Sequence, residues 1–257
     1  MDGIILTLGV FGTIVMAIAL AIGVLGFLSS LFKWIIIFKY NRLNRTKVDC
    51  GKTGEEAARE MLDKLNLKDV KVEKIGFWAG LIFGNHFNIK HNAIRLRKNI
   101  LTKSSITAVA LATQKVAVAE AHFKGDKRVK RRQILQAFGY LAPVVFVPLI
   151  LVGVILDMAV ISHLGVFSIV FTAVSLAYFI GGLVAMSLNI KLEKQTSARA
   201  IELFNQTKLL TEREIAEAES LYKTYITSYI IDYIYTVLYV VWLTIRLIFK
   251  ILTIKKK

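Results

Sequence analysis

From Gly3 to Phe32 the chain carries no charged side chain. At about 1.5 Å per residue this run makes about 45 Å of helix, more than the roughly 30 Å hydrocarbon core of a bilayer requires. It predicts a membrane anchor over residues 1–39. The basic residues Lys33, Lys39, Arg42, Arg45 and Lys47 all follow the run. It has no basic leader and is too long for a signal-peptide core, so the expectation is an uncleaved anchor with its N-terminus outside. A mean hydropathy of +0.56 agrees, being too apolar for an ordinary soluble domain.

Two further uncharged stretches, Gln133 to Leu156 and Met158 to Ile190, are separated by Asp157, with a turn-like segment from Ile161 to Gly165. They predict a membrane hairpin over 133–190. The run KGDKRVKRR, Lys124 to Arg132, precedes the hairpin, and Lys191, Lys194 and Arg199 follow it, which puts both ends on the cytoplasmic side. The last apolar segment, Thr224 to Ile245, contains Asp232 and is followed by Arg246, Lys250 and Lys255 to Lys257. Two readings stay open for residues 222–257: an interfacial or tilted helix, or a span that places its basic tail outside against the charge bias. Tyr222, Tyr225, Tyr229 and Tyr233 fall on one face of this helix, suited to the headgroup level or to packing on another helix.

The chain has 34 Lys and Arg against 18 Asp and Glu, a formal charge of +16. Such a balance points to nucleic acid or to an anionic surface. No nucleic-acid-binding motif accompanies the basic clusters, which flank apolar spans, so the expected partners are membrane lipids with anionic headgroups and not nucleic acid. Cys50 is the single cysteine, which excludes an internal disulfide and a metal site built from thiolates.

The stretches 40–132 and 191–221 read as a cytoplasmic part. Thr53 and Glu56 form a capping box for a helix with an apolar stripe of Ala57, Met61, Leu62 and Leu65. D-V-K-V-E-K-I alternates as a strand does, and F-N-I-K-H-N-A-I-R-L-R reads either as a tight hairpin turning at His91-Asn92 or as an extended edge. A long helix is expected from Ser104 or Ser105 to about Phe123, stopped by Gly125. Glu193 to Phe204 reads as a helix continuing from the preceding span, and Thr211 with Glu214 caps another. The expected fold class is therefore a mainly α-helical integral membrane protein, with three to four membrane helices and a small cytoplasmic α+β unit.

The order of these segments carries a resemblance. T-G-x-E-x-A-R-x-x-L at Thr53 to Leu62, the strand pair ending in A-I-R-L, S-I-x-A-x-x-x-A from Ser105, an apolar hairpin and S-x-R-A at Ser197 to Ala200 resemble the bacterial membrane-bound neutral zinc metallopeptidases. The likeness runs from about Tyr40 to Arg246. In that family the long helix carries H-E-x-x-H and a Glu after the hairpin completes the zinc site. Two His at i and i+4 share a helix face and bind zinc as neutral imidazoles, while the intervening Glu takes a proton from metal-bound water. Laid on this chain, the family pattern puts Gln114 and Val118 at the two His positions, Lys115 at the Glu, and Glu193 at the third ligand. Val118 has no donor atom, Gln114 is a poor zinc ligand, and Lys115 puts a cation where a base must accept a proton.

The resemblance thus implies a relative without catalytic residues and without a bound cofactor, which keeps the fold as a binding or scaffold subunit for another membrane protein of the bacterial inner membrane. Two other readings belong beside it. A displaced zinc site could draw on His86, His122, Glu120 and Glu193, which would leave an active peptidase, while His163 lies in the outer turn away from them. A purely lipid-organising protein held by its basic collar is the other. Taken without the family, Ala112 to His122 is a buried helix, with Ala112, Val116 and Ala119 inside and Lys115 and Glu120 at its wet edge.

Overall fold

The computed structural model of the protein describes residues 2–135, 152–153, 155–157 and 166–254. In chain order it contains α1 (Asp2–Arg45), α2 (Gly54–Lys64), β1 (Lys71–Lys74), α3 (Phe77–Phe83), β2 (His86–Asn88), β3 (Ala93–Leu96), α4 (Lys98–Leu101) and α5 (Ile106–Phe123). A helix α6 covers 127–135, and two long helices follow, α7 (Val166–Thr207) and α8 (Glu212–Ile254). Most of the first arm of the expected hairpin, the turn at Ile161 to Gly165 and His163 lie outside the described residues. Among the described residues three helices are long and apolar enough to cross a membrane: Met16–Arg45, Ile169–Thr207 and Glu212–Ile245. The protein is thus mainly helical, with helices long and apolar enough to cross a membrane and a small sheet.

The chain divides into two compact units. The first comprises Met1–Leu31, Ala137–Ser187 and Ile230–Lys257. In it α1 and α8 meet through small and polar residues. Ser29 donates a hydrogen bond to the Asp232 carboxylate, and a Cβ on Gly26 would lie 3.3 Å from the Tyr235 ring. The acidic residue that interrupts the last apolar segment is therefore partnered by a hydroxyl of α1.

The second unit comprises Phe32–Gln136 and Leu188–Tyr229. Its local structure follows the caps written in the sequence. The Thr53 hydroxyl accepts from the Glu56 backbone while the Glu56 carboxylate accepts from the Thr53 N–H, so α2 opens on a complete capping box. Thr211 and Glu214 repeat the arrangement at the start of α8. The sheet has the order β1-β3-β2, with β1 parallel and β2 antiparallel to β3. Of the two forms open to F-N-I-K-H-N-A-I-R-L-R, the hairpin is the one adopted: β2 and β3 pair across residues 89–92, where Asn92 takes a positive φ of 45°. Arg59 donates to the Val70 carbonyl at 2.9 Å, tying α2 to the chain entering β1.

The core of this unit joins Met61 and Leu62 of α2, Val72, Ile94 and Leu96 of the sheet, Ile100 of α4, the length of α5, and Leu192, Leu203 and Phe204 of α7. Truncating one such side chain to alanine costs about 2–5 kcal/mol.

Candidate functional site

Helix α5 is the axis of the unit. Ser105 caps it by accepting from Ala108 N at 3.2 Å, and Gly125, at a φ of 84°, turns the chain away past its end. Every residue from Ile106 to Glu120 is buried. Alanines at 108, 110, 112, 117 and 119 keep its girth small, so neighbouring elements approach on all sides. Tyr222, one of the tyrosine stripe, is buried and donates its hydroxyl proton to the Ala110 carbonyl, and Thr107 donates to the Tyr40 carbonyl at 3.2 Å. The expectation of a wet edge at Lys115 and Glu120 is corrected here, because both are buried and each has found a counter-ion.

Gln114, Lys115 and Glu193 come together. Gln114 donates from Nε2 to Glu193 Oε2 at 2.6 Å and to Ser197 Oγ at 2.9 Å, while its Oε1 accepts from Lys115 Nζ at 3.0 Å. The other Glu193 oxygen faces Lys115 Nζ at 3.5 Å and Arg132 Nη2 at 2.6 Å. The three charged side chains are 8%, 17% and 5% exposed for Lys115, Arg132 and Glu193. One buried carboxylate thus faces two cations, the buried Lys115 and the half-buried Arg132, and both of its oxygens are in use. Burial holds the Lys115 ammonium below the ordinary lysine value of 10.5, against the attraction of Glu193 and with the help of the Arg132 charge.

Arg132 is the member that sequence reasoning missed. It was absorbed into the basic run beside a span, yet as the last basic residue before an uncharged stretch it had no charged neighbour on its C-terminal side. Val118 is buried one turn after Gln114 and lines, with His86, Lys115 and Arg132, a void of about 20 Å³, room for about one water molecule.

The other named residues are occupied elsewhere. Glu120 accepts from Arg199 Nε and Nη2 at 2.7 and 2.9 Å and from Lys124 Nζ at 2.6 Å. Burial would raise its pKa, but these two partners hold it below the ordinary glutamate value. His122 packs its ring against Phe87 and Phe123, with centroids 5.6 and 5.4 Å away. The His86 Nδ1 donates to the Gly84 carbonyl at 3.0 Å. Burial keeps His86 below its ordinary 6.5, as do the charges of Arg95, Lys115 and Arg132, against that one hydrogen bond. Among the described residues, His86, His122, Glu120 and Glu193 do not form a group placed to hold a metal ion.

Zinc takes neutral imidazole, thiolate or carboxylate donors. Around Glu193 stand an ammonium, a guanidinium and an amide nitrogen, none of which can donate a lone pair to a metal. Among the described residues no group of three or more His, Cys, Asp and Glu is placed to hold a metal ion. The residues present at this position do not fit zinc.

Comparison with curated proteins and with solved structures returns no match. The profile of one family, described as "Putative neutral zinc metallopeptidase", matches residues 15–248. With a match over that much of its length, the chain belongs to the neutral zinc metallopeptidase family.

Proposed function

We propose that this chain is a catalytically inactive member of its family, acting as a binding or scaffold subunit of a membrane protein complex in the bacterial inner membrane. The observation that carries this reading is the ion cluster on α5. Lys115 and Arg132 supply to Glu193 the positive charge that a metal would otherwise supply, and Gln114 occupies its second oxygen. A lysine beside the carboxylate cannot serve as the base for a metal-bound water. The fold around the cluster is intact, with caps formed and core closed, which supports a selected role for the body of the protein. In this reading the N-terminus is outside, the α+β unit is cytoplasmic, and anionic lipid headgroups neutralise the basic clusters.

Metal analysis and casein cleavage on the purified full chain test the chemical half. The expected result is zinc well below one ion per chain and no cleavage that a chelator abolishes. Stoichiometric zinc together with chelator-sensitive cleavage overturns the proposal. Co-purification in mild detergent tests the scaffold half: a second membrane protein in fixed ratio is expected, and a chain that is always recovered alone refutes it. Cys50, exposed and the only cysteine, reports orientation. A membrane-impermeant maleimide should label it in inverted vesicles and not in intact cells.

A further inference from the structure

Helix α3 lies between Gly76 and Gly84 and begins with Phe77 and Trp78, which are 78% and 74% exposed. Their rings meet edge to face at 5.4 Å. A single exposed aromatic on a protein surface is ordinary, but two adjacent ones at the tip of an apolar helix form a patch that calls for an occupant. At seven residues α3 is far shorter than the roughly 20 residues a span requires, so its exposure is not that of a crossing helix.

The helix is clamped in place. Arg97 donates from Nη2 and Nε to the Gly80 carbonyl at 2.6 and 3.2 Å, and the Arg97 N–H donates to Asn85 Oδ1 at 2.7 Å. Gly80 sits so close to Ile75 that an added Cβ would lie 3.2 Å from its side chain. The aromatic pair is thus held out from the end of the sheet. Beside it Lys74 and Lys98, both exposed, line a groove of about 490 Å³ together with Ile75, Phe77 and Gly80.

Aromatic rings next to free ammonium groups match the headgroup layer of a bilayer, where rings settle at the acyl boundary and lysines meet anionic lipid. The charge complementarity selects this occupant: the groove is basic on a chain of net charge +16, and the same chain carries helices long and apolar enough to cross a membrane and so to hold it at a bilayer. We propose that α3 is an interfacial anchor, with Phe77 and Trp78 inserted at the acyl boundary and Lys74 and Lys98 against anionic lipid headgroups.

The test uses the full chain with Trp34→Phe and Trp242→Phe, which leaves Trp78 as the sole tryptophan. The protein is placed at one copy per nanodisc, in phosphatidylcholine with and without phosphatidylglycerol. Phospholipids brominated near the headgroup should quench Trp78 several-fold more strongly than aqueous iodide does. Phosphatidylglycerol should deepen that quenching, and Lys74→Glu with Lys98→Glu should abolish the increment. If the double tryptophan variant folds poorly, Cys50→Ser with Phe77→Cys carries an environment-sensitive dye to the same place. Iodide quenching equal to that of free indole, with no effect of brominated lipid, overturns the proposal. So does protection from iodide that appears only in discs holding two copies, or only on adding another protein, because the patch is then a protein interface.

Discussion

Glu193 is the residue on which the buried cluster depends, and its two partners are not equivalent. Removing the one counter-ion of a buried cluster leaves uncompensated charge, which costs about 3–5 kcal/mol, whereas removing a surplus cation leaves the remaining carboxylate still paired and strands no charge. Glu193→Ala leaves the buried Lys115 and the half-buried Arg132 without their carboxylate and should lower thermal stability in detergent by that amount. Lys115→Met keeps the shorter Arg132 contact at 2.6 Å and removes the ammonium that burial already disfavours, so its stability should equal or exceed that of the parent. An equal loss in the two variants would refute this asymmetry. Neither outcome could be read from the sequence, since Lys115 and Glu193 are separated by the whole apolar hairpin and only packing brings them together.

Among the elements, α2 and α5 show how closely the unit is built. Gly54, the first residue of α2, backs onto main chain: an added Cβ would lie 2.1 Å from the Ile100 carbonyl oxygen and 3.1 Å from that of Ala108. Backbone cannot step aside as a flexible side chain can, so Gly54→Ala should destabilise by at least about 1–3 kcal/mol. Gly76→Ala, where an added Cβ meets nothing within 4 Å, is the control and should leave the melting temperature unchanged. The glycine of the T-G-x-E motif thus has a physical reason that spacing alone did not supply. The capping boxes and the limits of α5 were legible in advance, because each is made by residues within a few positions of one another, while the β2-β3 hairpin was one of two forms the sequence left open. Helix α3 was not, since an apolar run bounded by glycines has no periodicity long enough to read. The parallel pairing of β1 with β3 was missed for a related reason, as it joins segments on either side of α3 and β2.

For the molecule as a whole, buried titratable groups predict lability to acid. His86 is held below 6.5, so the unfolded chain takes up the proton first, and the stability this group contributes is lost as pH falls below 6.5. Glu120 is held below 4.5, so its contribution is present above that value and is lost as pH falls further. The melting temperature should therefore fall in two stages on acidification, and His86→Asn should flatten the upper one. An unchanged melting temperature between pH 7 and pH 4 would refute the prediction. Membrane association, the caps and the family were all readable from the chain, because uncharged length, local hydrogen-bonding residues and the order of segments are properties of one dimension. Which groups neutralise the charges at the centre of α5 was decided only in three dimensions. Charge neutralisation acts through distance in space, and the partners of Glu193 and Glu120, Arg132 and Arg199 among them, come from segments far apart in the chain.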